Sequence, residues 1–174
     1  MPIPQGHDLI NQTSMTTDSK GRPYIATYWR DEQADIPQYR VVFHDGAKWR
    51  VSSVGTQTIA FRLGGTGTRR IPISRPQILA DATGSADRAY LLFRDEGRGS
   101  KVSVAICEDL SRGQWRLEDL TTSSVGQWEP TFDPVLWRRQ KLVHMFVQRA
   151  EQRDDEGVVN VPPEMVYILG GKPQ

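Results

Sequence analysis

Tyr24 and Tyr90 stand 66 residues apart, and so do Trp49 and Trp115. Each pair sits in the same succession. Asp18 precedes Tyr24-Ile-Ala-Thr-Tyr-Trp-Arg30, a loop, Tyr39-Arg-Val-Val-Phe-His44 and Trp49. Asp81 precedes Tyr90-Leu-Leu-Phe-Arg94, a loop, Lys101-Val-Ser-Val-Ala-Ile-Cys107 and Trp115. A third round runs from Asp133 through Leu142-Val-His-Met-Phe-Val-Gln-Arg149 to Met165-Val-Tyr-Ile-Leu169. The runs are rich in β-branched and aromatic residues. Turn signals such as Asp45-Gly46 and Arg112-Gly113 bound them, which is the pattern of strands. No stretch carries a persuasive 3.6-residue period, so the expected class is all-β. A short inner-strand candidate opens each round: Asn11 to Met15, Arg75 to Leu79 and Glu129 to Phe132.

Four short strands per repeat is the pattern of a β-propeller blade. One such sheet cannot cover both of its faces, so it stacks on its neighbours. The expectation is one domain, residues 1–174, holding an arc of about three four-stranded antiparallel blades over roughly 8–56, 73–122 and 126–170. Propellers close with about 4–8 blades. Three therefore leave open faces, to be covered by missing N-terminal blades or by self-association. The competing arrangement is a two-sheet sandwich with decorated hairpins. Two insertions, residues 55–72 and 150–163, are long enough to be functional loops.

Charge excludes some classes. Twenty-two Lys and Arg against 21 Asp and Glu leave +1, which argues against a nucleic-acid binder. No apolar run is long enough for a membrane span. The start, Met1-Pro-Ile-Pro-Gln-Gly6, has no signal-peptide character. The single cysteine, Cys107, cannot form an internal disulfide, and His7, His44 and His144 are scattered. No cofactor is evident; a structural metal completed by missing blades stays open. Gly64-Gly-Thr-Gly67 lacks the Lys-Ser/Thr ending of a phosphate loop.

Asp8-Leu-Ile-Asn-Gln-Thr-Ser-Met15, Asp18-Ser-Lys-Gly-Arg-Pro23 with the strand after it, Pro37-Gln-Tyr-Arg40, His44-Asp-Gly46 and Ile73-Ser-Arg-Pro-Gln77 resemble the BNR-repeat-containing family of carbohydrate-active proteins. That family is similar to ulvan lyases and, more distantly, to sialidase-type propellers. The resemblance implies a seven-bladed propeller of which this chain is the C-terminal half. It also implies an anionic polysaccharide or oligosaccharide in the channel mouth, and a secreted or periplasmic full-length protein. A lyase of this shape uses a His and a Tyr as base and acid and an Arg against the uronate carboxylate. The blades carrying the family's base-side histidines would lie before Met1, so the chain alone is expected to be inactive.

β-Elimination next to a carboxylate needs a base, an acid and a cation on the developing enolate. Alternation puts Arg40, Val42 and His44 on one face of their strand, and Tyr24, Ala26, Tyr28 and Arg30 on one face of the strand before. Adjacent strands are then expected to bring Tyr28 near Arg40. The catalytic candidates are Tyr28 as acid, Arg40 as carboxylate partner and His44. Against them stand bland roles: Tyr24 and Tyr28 as packing aromatics, Arg40 as a partner of Asp31 or Glu32, and His44 as a solvated turn residue. Channel-lining candidates for saccharide are Asn11, Gln12, Arg75, Gln77 and Glu129, with Trp128 as a stacking platform. His144, inside an apolar run, reads as a core histidine. Arg30, Arg94 and Arg149 recur at equivalent places and read as structural. The leading expectation is part of a polysaccharide lyase acting on uronate-containing polysaccharide. The alternatives are a non-catalytic carbohydrate-binding or scaffold propeller and a sialidase-like hydrolase.

Overall fold

The computed structural model describes residues 3–9, 13–55, 57–65, 67–81 and 87–173. Three antiparallel sheets follow one another along the chain. The first is the meander β1 (Ser14–Thr17), β2 (Pro23–Trp29), β3 (Gln38–His44) and β4 (Trp49–Ser53). The second is β5 (Gln77–Asp81), β6 (Arg88–Asp95), β7 (Lys101–Cys107) and β8 (Arg116–Asp119). The third is the pair β9 (Val143–Gln148) and β10 (Val166–Gly171).

Local chemistry sets the turns. Asp45 accepts the backbone N–H groups of Ala47 and Lys48, each at 2.8 Å, and closes the β3–β4 hairpin. Asp18 does the same between β1 and β2. Its Oδ1 accepts from Lys20 N and Arg22 N, and its Oδ2 accepts from Arg22 Nε at 2.6 Å. Gly126 is required where the chain passes Ala150: a Cβ there would lie 2.1 Å from the Ala150 carbonyl oxygen.

The sheets stack, and the stacking explains the sequence pattern. Tyr24, Ala26 and Tyr28 of β2, with Tyr39, Val41 and Phe43 of β3, face the second sheet. They meet Ile78, Leu91, Phe93, Ala105 and Cys107 there. The opposite face of the second sheet offers Leu79, Tyr90, Leu92, Val102, Val104 and Ile106 to Val143, Met145 and Val147 of β9. The second sheet is thus buried on both faces, which is why β6 and β7 read as continuous apolar runs. Each such aliphatic side chain stabilises the stack by about 1.5–3 kcal/mol when fully buried. A two-sheet sandwich would bury one face of each sheet; here one sheet lies between two others. The all-β expectation holds, with three sheets of four, four and two strands and no closed barrel.

The third unit departs from the repeat. Glu129 to Phe132 was expected as an inner strand, but only the isolated bridge Phe132–Met145 forms there. Asp133 then caps a short helix, α1 (Pro134–Gln140), accepting from Val135 N and Leu136 N at 2.9 and 3.0 Å. Asp followed by Pro at the first helical position is a helix start that needs no long periodic run. His144 is another correction. Val143, Met145 and Val147 point into the core, so alternation turns His144 outward, over Gly170. Among the described residues no helix is long and apolar enough to cross a membrane.

Candidate functional site

Register decides which candidates can meet. Cross-strand partners share a face, and Tyr28 pairs with Tyr39, whereas Arg40 pairs with Thr27. Tyr28 therefore faces the second sheet, while Arg40 and His44 face away from it. The expected approach of Tyr28 to Arg40 does not occur. Arg40 instead binds Asp31 at 2.6 Å and lies over the Trp29 ring at 5.1 Å. His44 belongs to its turn: Nδ1 accepts from Gly46 N at 3.2 Å, and the ring meets Trp49 edge-on.

Tyr28 is fully buried, and its ring packs edge-on against Tyr39 and Phe61. Its hydroxyl finds no hydrogen-bond partner among the described residues. Burial holds the phenol protonated, well above its ordinary range; Arg75 opposes that shift, and Glu129 and Asp8 add to it.

Those same charges border a cavity of about 500 Å³. Its wall includes Arg69, Arg75, Arg94, Gln127, Glu129 and Gln152. Glu129, in the strand-like segment before α1, accepts the backbone N–H of Arg75 on Oε2 at 2.8 Å. Its other oxygen is 4.0 Å from Arg94 Nη2. Burial raises the Glu129 carboxyl above its usual value, against the Arg75 backbone bond and the charges of Arg94 and Arg75. The Arg75 side chain is exposed and makes no hydrogen bond or ion pair among the described residues.

Arg94 ends the apolar run of β6 and is 1% exposed. It donates to the carbonyls of Trp128 at 3.3 Å, Pro72 at 3.0 Å and Ile71 at 3.4 Å. A guanidinium so held is a fixed positive charge behind the cavity wall. Both insertions reach the rim: Asp155 N donates to the Thr68 carbonyl at 3.0 Å, and Arg70 N to Asp154 Oδ1 at 2.6 Å. A second cavity, about 530 Å³, opens between β1 and α1, but its acid, Asp81, is paired with Lys141 at 3.6 Å.

Of the saccharide candidates, Arg75 and Glu129 come together at the 500 Å³ cavity. Gln77 does not join them; its Oε1 accepts from Ser14 Oγ at 3.2 Å and stitches β5 to β1. Trp128 is 4% exposed and donates its indole N–H to the Phe146 carbonyl at 2.9 Å, so no ring face is free for a sugar. Asn11 and Gln12 lie outside the described residues. Arg94 and Gln127 are site residues that the strand pattern did not single out. An Arg-Asp pair closing a run as apolar as Tyr90-Leu-Leu-Phe was the available signal, since a charge there must be buried and held. Among the described residues no group of three potential metal ligands exists.

Residues 1–57 match the family described as BNR repeat-containing. That match supports a BNR-repeat protein. It spans the N-terminal arm and the first sheet, the part in which Asp18, Tyr28 and Arg40 lie. No curated protein matches the chain.

Proposed function

We propose that the cavity between the second sheet and the two insertions binds an anionic saccharide, as part of a carbohydrate-active BNR-type propeller. The observation that carries this reading is the meeting of Arg75, Arg94 and Glu129 beside an unpaired Tyr28 hydroxyl. An exposed guanidinium suits a uronate carboxylate because it binds with two parallel hydrogen bonds and never loses its charge. Glu129 and Gln127 offer acceptors and donors to ring hydroxyls.

The finer reading is β-elimination on a uronate-containing polysaccharide. A base removes the C5 proton, the electron pair forms the C4–C5 double bond, and the C4–O bond breaks. An acid then protonates the departing oxygen. Arg75 would neutralise the carboxylate, Glu129 with its raised pKa would take the proton, and Tyr28, held protonated by burial, would supply one. The burial of Tyr28 also favours a second reading, binding without turnover, because the hydroxyl reaches a substrate only after the wall around it opens.

Calorimetry of the 174-residue protein with uronate oligosaccharides separates these. Binding that Arg75→Ala weakens at least tenfold, with neutral oligosaccharides binding no better than the variant, is the expected outcome. Release of unsaturated uronate absorbance, lost in Tyr28→Phe, assigns lyase activity; binding without that signal assigns the non-catalytic reading. Equal affinity for charged and neutral sugars would remove the basis of the proposal.

A further inference from the structure

The outward face of the first sheet is apolar where a solvated sheet face is normally polar. Register lines up Met15, Ile25, Val42 and Val51 across all four strands. Met15 is 67% exposed, and Trp49, beside the row, is 55% exposed.

The internal repeat says what such a row is for. The second sheet carries the equivalent row Ile78, Leu91, Ala105 and Leu117, in register across its four strands. That row packs on the first sheet. Trp115, the counterpart of Trp49, packs with it and donates its indole N–H to Ser52 Oγ of β4 at 2.9 Å. The first sheet therefore presents the same docking face as the second, with nothing seated on it.

The opposite end of the stack is bare in the complementary sense. β9 buries Val143, Met145 and Val147 against the second sheet and turns Phe146 outward, opposite Ile168 of β10. Ile168 is 62% exposed and Phe146 47% exposed, with Val166 on the same face. This face looks forward along the stack, as the Tyr24 face does in the first sheet.

We propose that a second copy of this chain covers both faces, each copy's β9–β10 face seating on the other's Met15–Trp49 face. Unlike faces that meet head to tail either close into a ring or grow into a filament. Rings of stacked sheets close with about 4–8 blades, and with three sheets per copy, twice three is the multiple within that range. The occupant continues an interface already made twice within the chain.

Light scattering of the eluting protein, with sedimentation at several concentrations, reads the outcome. Wild type is expected at twice 19.7 kDa and no larger. Trp49→Glu and Ile168→Glu should each give a folded monomer, since both side chains are mostly exposed and carry little of the protomer's own packing. Mixing the two variants should restore a dimer, because one copy keeps a good forward face and the other a good backward face. A monomeric wild type, a mass that climbs without limit, or an Ile168→Glu variant that stays dimeric would each overturn the proposal. Circular dichroism confirms that the variants fold.

Discussion

Asp18 and Glu129 show how one side-chain type serves opposite ends. Asp18 has no exposed side-chain surface, yet burial is outweighed by hydrogen bonds from Arg22 and Lys20, and its carboxyl sits below the usual range. A folded-state pKa below the unfolded one means that its stabilisation is present above the unfolded value and is lost as pH falls through the folded one. Asp18→Asn should cost on the order of 1–3 kcal/mol at neutral pH, by leaving donors unmet, and should flatten the acid limb of the melting-temperature profile. Glu129 runs the other way: burial raises it. As pH falls from neutrality into the mildly acidic range, Glu129 protonates and stops competing for Arg75 and Arg94. Affinity for an anionic saccharide should therefore rise over that range, and calorimetry of Glu129→Gln should show tight binding with the slope removed. The residue types of this site were legible in the sequence, since Arg75 and Glu129 stand at equivalent blade positions. The partners of Tyr28 were not. Whether it pairs with Tyr39 or with Arg40 depends on the loop 30–37, and a shift of one residue turns the side chain to the other face.

Strands were easier to read than the helix. β2, β3, β6 and β7 follow from their alternating or continuous apolar residues and the turns around them. α1 occupies seven residues, too few to show a period against the strand-like sequence on either side. Its signal lay in its ends. Asp133 supplies the cap, Pro134 fixes the first turn, and Lys141 closes the helix in a left-handed conformation while its ammonium lies over Trp137 at 5.2 Å. Asp133→Ala removes acceptors from two backbone donors and should lower stability by about 0.5–2 kcal/mol in denaturant titration. Because Trp137 from this helix packs edge-on against Tyr90 of β6, loosening α1 should also expose that indole, seen as a red shift of its emission.

At the scale of the molecule, stability is distributed by position in the stack. The second sheet lies between two apolar layers, and every residue of β6 after Arg88 is buried, as is every residue of β7 after Lys101. The outer sheets each have one covered face, and β4 and β10 are mostly exposed. Opening β6 from β7 must separate both cores at once, whereas β10 can peel from β9 without disturbing either. Amide exchange should follow that order: β6 and β7 slowest, near the global unfolding free energy, and β10 and β4 fastest. Leu91→Ala and Leu92→Ala probe the two faces separately, because Leu91 enters the core shared with the first sheet and Leu92 the core shared with the third. Each should cost about 2–5 kcal/mol. If the stack is one cooperative unit, both substitutions will accelerate exchange across β2, β6 and β9 alike. If its sheets open one at a time, Leu91→Ala will speed β2 and spare β9, and Leu92→Ala will do the reverse. The continuous burial of β6 and β7 favours the first outcome, since no surface within the second sheet lets one core be lost while the other stays dry.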